Sequence, residues 1–184
     1  MQLFAAFPVG DDARSELRGK LRRFRAAGLP VRWVSDEALH VTVKFLGEVS
    51  SERLPEVRAW IAAAVRGTPL LQFTPGELGA FPAWTRARVL WAGYEAEAAL
   101  ELLVHRVERQ MEQLGFPGEG RPFRAHVTLG RVRDGARLPP DCLEKLEREP
   151  LAGGFSADRL ILYESRLGPG GARHLELESF SLGA

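Results

Sequence analysis

The tripeptide His-Val-Thr occurs twice in the chain, at 40–42 and at 126–128, a spacing of 86 residues. Each copy sits in a run of strict alternation. Leu39, Val41, Val43 and Phe45 alternate with His40, Thr42 and Lys44; Phe123, Ala125, Val127 and Leu129 alternate with Arg124, His126 and Thr128. A period of two specifies a strand, because strand side chains point to opposite faces in turn. Each run therefore packs one side into a core and presents His and Thr together on the other, with Cα atoms roughly 6.5–7 Å apart. An imidazole and a hydroxyl at that separation reach one phosphate group, whereas an i, i+2 pair on a helix points to different sides. The chain has only four histidines and five threonines, so spending two of each on one pattern makes the pattern a candidate site.

The surrounding order of elements repeats as well. An apolar strand over 3–9 stops at Pro8 and Gly10, and Asp11 or Asp12 caps a helix with the stripe Leu17, Leu21 and Phe24, ending at Gly28 and Pro30. The first His-Val-Thr strand closes at Gly47. A second helix starts at Ser50 or Ser51, with Leu54, Val57, Trp60, Ile61 and Val65 on one face and Pro55 in its first turn. Strands follow near 70–78 and 88–94. Leu100, Leu103, Val104, Val107, Met111 and Leu114 then mark a helix stopped by Gly115. After the second His-Val-Thr strand come a short helix around 141–148 and two strands, 157–166 and 174–180, joined by the turn-forming 167–171. Helix, strand, helix, strands appears twice. The expected fold is α+β: one two-lobed domain over 1–184, with two pseudo-symmetric lobes. Each lobe is a mainly antiparallel sheet with helices outside, and the His-Val-Thr strands face one another across a cleft.

Composition narrows the setting. At 184 residues, 45% hydrophobic and 27% charged, the chain suits an ordinary globular core. No apolar run approaches the roughly 20 residues of a membrane span, and the first residues lack a secretory leader's layout. The lone Cys142 cannot form an internal disulfide, which favours the cytoplasm. A net charge of +1 excludes bulk coating of nucleic acid. Still, all basic residues but Lys20, Lys44 and Lys145 are arginine, the side chain suited to bidentate phosphate contact.

Two histidines on facing strands suit the opening of a cyclic phosphodiester. One takes a proton from the incoming water and the other gives a proton to the departing alkoxide, from opposite sides of phosphorus. Thr42 and Thr128, with Lys44, Arg124 and Arg131, are the candidate holders of the non-bridging oxygens. Arg131 has the opposite parity from His126, so a bulge or a strand end has to re-aim it. The scheme calls for no metal or other cofactor. Two histidines without nearby Cys or paired carboxylates also fall short of a zinc site. His105 reads as a solvated helix residue, His174 as either surface or cleft, and Phe7 and Phe123 as core.

The extended text around both motifs, Leu39 to Gly47 and Arg121 to Arg131, resembles the two-histidine phosphoesterase superfamily, and within it the bacterial and archaeal RNA 2′,3′-cyclic phosphodiesterases once called 2′-5′ RNA ligases. The likeness extends to Leu3–Phe7, Phe81-Pro82, Val89–Gly93, Ser165–Leu167 and Gly171-Ala172. It implies that His40 protonates the leaving 3′ oxygen, that His126 activates water, and that Thr42 and Thr128 bind the phosphate. Ala125 replaces a common proline, and His174 stands where many relatives carry a tyrosine. The implied substrates are RNA ends or small nucleotides carrying a 2′,3′-cyclic phosphate, acted on by a monomer with no obligatory protein partner and no membrane. ATP-independent 2′-5′ joining by the reverse reaction and a non-catalytic RNA-end or nucleotide binder are the alternatives.

Overall fold

The computed structural model describes residues 1–168 and 171–183. Pro169 and Gly170 of the expected turn, and Ala184, lie outside the described residues.

The apolar opening segment forms β1 (Gln2–Pro8), buried from Leu3 to Phe7. Helix α1 (Asp11–Ala26) buries Ala13, Leu17, Lys20, Leu21 and Phe24, one stripe at helical spacing. Each of its buried leucines contributes about 1.5–3 kcal/mol by leaving water. The N-cap is Gly10, one residue ahead of the expected aspartates. Asp11 and Asp12 lie in the first turn, opposite the basic last-turn Arg23 and Arg25, a charge order that suits the helix dipole. Strands β2 (Val31–Trp33) and β3 (His40–Glu48) follow, then α2 (Leu54–Val65), with Pro55 in its first turn. The second half comprises β4 (Leu71–Phe81), β5 (Val89–Ala96), α3 (Ala98–Gln113), β6 (His126–Val132), α4 (Pro140–Glu147), β7 (Phe155–Ala157), β8 (Arg159–Gly168) and β9 (Gly171–Ser181). Helix α3 ends where Gly115 takes φ +83°, a value that favours glycine.

Among the described residues the nine strands join in one antiparallel sheet, in the order β7-β4-β5-β6-β3-β1-β8-β9, with β2 on the edge of β6. The helices cover one face. Their apolar stripes meet the inward residues of the strands in a continuous core that includes Leu3, Ala5, Phe7, Val41, Val43, Val127 and Leu129. Phe7 lies in this core, and Phe123 packs partly buried against it. Four buried apolar residues, Phe4, Ala6, Trp91 and Ile161, stand outside that core. Strand parity puts them on the face that carries His40 and His126.

The two half-sheets do not stand apart as opposing walls. They are zipped together by β3 and β6 at the pair Val41–Val127. To one side of that bridge β3 departs and β2 takes over the edge of β6, pairing Val31, Arg32 and Trp33 with Val132, Arg131 and Gly130. The His-Val-Thr strands are thus neighbours on the floor of the cleft. That adjacency depends on a contact between segments 86 residues apart, which local periodicity cannot report.

Candidate active site

An antiparallel pair at Val41–Val127 determines what surrounds it. His40 falls opposite Thr128, and Thr42 falls opposite His126. Both valines point into the core with no exposure, so all four polar side chains share the other face. They form a four-cornered patch with the histidines on one diagonal and the threonines on the other. Diagonal neighbours of this kind stand about 7–8 Å apart, close enough for two imidazoles to flank one phosphorus.

The two imidazoles are held differently. His126 donates from Nδ1 to the carbonyl oxygen of Arg124 at 2.7 Å. A carbonyl can only accept, so the neutral ring carries its proton on Nδ1 and keeps the Nε2 lone pair free. Phe81 and Trp91 meet this ring at centroid distances of 5.2 and 6.2 Å. Trp91 fits because residue 79 is glycine: a Cβ there would collide with the indole. His40 instead packs at 4.9 Å from Phe4, 6.2 Å from Tyr163 and, edge-on, 5.1 Å from His174.

Burial pushes His40 down to about 4, the neighbouring His174 and His126 charges add to the effect, and the Ala38 backbone partly opposes it. Burial also lowers His126, against the raising effect of the Arg124 carbonyl, and it lowers His174. All three rings therefore favour the neutral form near pH 7.

Not every expected phosphate ligand lies on this face. In β3, Val43 is an extra residue between the pairs Ala6–Thr42 and Ala5–Lys44, a β-bulge that reverses parity. Lys44 is turned to the helix side, 1% exposed, where Nζ donates to Glu108 Oε2 at 3.0 Å and to the Pro117 carbonyl at 2.6 Å. It is a buried structural cation, not a neighbour of the histidines. The same reversal brings Phe45, expected in the core, onto the cleft face at 59% exposure. An equivalent bulge occurs in β6, where Leu129 is the extra residue between Trp91–Thr128 and Leu90–Gly130. Arg131 is thereby re-aimed onto the face of His126 and Thr128, and its side chain is exposed. Arg124 is exposed just ahead of β6, and its carbonyl orients His126. His105 is exposed on α3, away from the patch.

Alternation alone misses Phe45, and the aromatic collar of Phe4, Phe81, Trp91 and Tyr163 comes from four different strands. The signal for Phe45 is the 86-residue repeat, which aligns it with Arg131. Among the described residues no three His, Cys, Asp or Glu side chains gather in a metal-holding group. Among the described residues no helix is long and apolar enough to cross a membrane.

Known proteins share this arrangement of sequence and fold. The chain is 31% identical over 175 residues to the RNA 2′,3′-cyclic phosphodiesterase of Thermotoga maritima, covering 93% of this chain and 90% of the relative. It is also 31% identical over 180 residues to the protein of the same name from Archaeoglobus fulgidus, covering 98% and 99%. Among solved structures, TT0787 of Thermus thermophilus superposes with a TM-score of 0.83 at 28% identity, covering 99% of this chain and 98% of that one. Escherichia coli LigT complexed with 3′-AMP gives 0.77 at 26%, covering 100% and 98%. The model of the 2′-5′ RNA ligase superfamily matches residues 11–169, both His-Val-Thr strands included. By that match and by relatives alike from end to end, the chain belongs to the 2′-5′ RNA ligase superfamily.

Proposed function

We propose that this chain hydrolyses RNA 2′,3′-cyclic phosphodiester ends to 2′-phosphomonoesters by paired-histidine acid–base catalysis, without a metal. The observation that carries the reading is the Val41–Val127 bridge, which sets two histidines on one diagonal and two threonines on the other. In-line displacement runs along the histidine diagonal. Water enters beside His126, whose free Nε2 takes its proton as the new P–O bond forms. On the far side the bond from phosphorus to the 3′ oxygen breaks, and His40 supplies the proton that the alkoxide needs. Thr42 and Thr128 hold the non-bridging oxygens along the other diagonal, and Arg131 and Arg124 add positive charge.

The surroundings support that division of labour. A strongly depressed imidazole is a strong acid once protonated, and His40 is pushed down to about 4. The negative charge of the bound phosphodiester stands beside both rings and raises the share of imidazolium, and in that form His40 is the stronger acid. His126 has a carbonyl stabilising its protonated form, as suits the proton acceptor. The same site admits a 5′-hydroxyl in place of water, joining a 2′-5′ bond without ATP, as the family's name suggests.

The relatives named RNA 2′,3′-cyclic phosphodiesterase support the substrate class. One chain supplies both motifs, which supports residues 1–184 acting as a single two-lobed unit and as a monomer, and the lone Cys142 suits the cytoplasm. The test is incubation in EDTA with an oligonucleotide ending in 2′,3′-cyclic phosphate. A 2′-phosphate product is expected. Loss of activity in EDTA that added metal restores would sink the metal-free mechanism, and tight binding without turnover would leave a recognition module.

A further inference from the structure

Beyond the four-cornered patch, along β6, lies a concavity of about 320 Å³ lined by Arg32, Arg88, Arg131 and Arg133, with Asp134 at its side. Strand pairing forces the crowding. Arg32 of β2 stands directly opposite Arg131 of β6, and Arg133 follows Arg131 two residues on, on the same face. Arg88 sits just ahead of β5, its carbonyl accepting from the Val132 amide at 2.9 Å.

Like charges directly opposite across a ladder are destabilising. Among the described residues none of these four guanidiniums has a carboxylate within salt-bridge distance, Asp134 included, whereas Arg18, Arg58 and Arg166 each hold one. Among the described residues the charge here is therefore unpaired, and it is arranged around a hollow with Asp134 as its acidic lining residue. Arginine around a hollow is the chemistry of a phosphate site. Arg131 joins the hollow to Thr128, because the bulge at Leu129 puts both on one face.

We infer that this arginine hollow is a second phosphate subsite, which takes the backbone of a single-stranded RNA leading away from the cyclic end. It rests on the reading of the His40/His126 patch as a cyclic-phosphodiester site and deepens it: an oligonucleotide end gains a contact that a free cyclic mononucleotide cannot make. An acidic peptide is the other polyanion of comparable charge. RNA is favoured because the hollow continues a surface already committed to a phosphodiester.

The experiment compares 2′,3′-cyclic AMP with a pentanucleotide ending in 2′,3′-cyclic phosphate, for the wild type and for Arg32→Ala/Arg133→Ala. The double variant raises KM for the pentanucleotide roughly tenfold and leaves turnover of 2′,3′-cyclic AMP unchanged, which also reports an intact fold. The slope of log affinity against log salt falls by roughly 1.4, about 0.7 for each lost single-strand phosphate contact. Unchanged kinetics on the pentanucleotide, or an equal loss on both substrates, overturns the subsite. So does pentaglutamate competing as well as the RNA. If the double variant does not fold, Arg133→Gln alone shows the same selective change at half the slope. If the wild type opens neither substrate, the catalytic reading fails by itself. Fluorescence anisotropy with a labelled pentanucleotide ending in a 3′-phosphate then decides the subsite: weaker binding by the variant supports it, and equal binding overturns it.

Discussion

Val41 and Val127 pair directly across β3 and β6, and this contact makes neighbours of two tripeptides 86 residues apart. Both side chains are fully buried, so the bridge is held from the core side while the cleft side is left to chemistry. Its local two-fold puts each histidine opposite the other motif's threonine. The surroundings then break the symmetry, with His174, Tyr163 and Phe4 around His40 and Phe81 and Trp91 around His126.

That asymmetry predicts the pH profile. The pH dependence of kcat/KM reports the free enzyme, in which His40 lies near 4 and His126 below its ordinary value. The bell for kcat/KM is expected to peak on the acid side of pH 6.5. The kcat profile is displaced upward, because a bound phosphate anion favours imidazolium. His174→Gln removes a neighbouring charge that depresses His40, so the lower limb moves up. Steady-state kinetics from pH 4 to 9 check this; a limb unmoved in the variant would separate His174 from His40.

Lys44 predicts a split between stability and activity. Lys44→Met leaves Glu108 without its buried partner and is expected to cost about 3 kcal/mol, the low end for a broken buried pair because Glu108 keeps some contact with water. Per folded molecule, kcat/KM stays within about twofold, since the ammonium does not reach the phosphate. Urea denaturation and kinetics on the same sample decide it. A hundredfold loss of activity without loss of stability would return Lys44 to the site.

Acid should destabilise the protein in two stages. His40 binds its proton near pH 6.5 when unfolded and near 4 when folded. Between those values the unfolded state holds more protons, so stability falls as pH falls, by about 3 kcal/mol once both forms are charged. At Glu149, burial pushes the carboxyl up, but Lys20 and Arg23 outweigh it and hold it below the ordinary value. Its contribution is present above 4.5 and is lost as pH falls further. His126 and His174, also lowered by burial, share the first stage, so His40→Asn reduces it and leaves the second. Thermal melts at pH 7, 4.5 and 3 report both, and an identical first stage in the variant would refute the assignment.

How much of this was legible in the sequence depends on the range of the interaction. The helix stripes of Leu17 and Leu21 and of Leu100 to Met111 were readable, because burial of a helix face is written every three or four residues. His40, Thr42, His126 and Thr128 were readable because strand parity is local. Lys44 and Phe45 lie on the opposite faces from those that alternation predicts, because a bulge inserts a residue without a sequence marker of its own. The need to re-aim Arg131 implied a bulge in β6. Carried across the repeat to Val43, the same step turns Lys44 inward and Phe45 outward. β2 is three residues long, too short for a periodicity, and its partner on β6 is far along the chain. The contact of His174 with His40 passes from β9 to β3 over Phe4, and no local pattern encodes it.

The most direct measurement replaces the bridging 3′ oxygen of the cyclic phosphate with sulfur. A thiolate leaves without being protonated, so the need for a general acid disappears while the need for a base remains. On the ordinary substrate His40→Ala and His126→Ala are each expected to lose about 10²–10⁴-fold in kcat. On the sulfur substrate His40→Ala should recover to within about tenfold of the wild type, and His126→Ala should stay impaired by the full factor. Equal impairment of the two variants on the sulfur substrate, or recovery of His126→Ala instead, would contradict the division of roles between the two histidines.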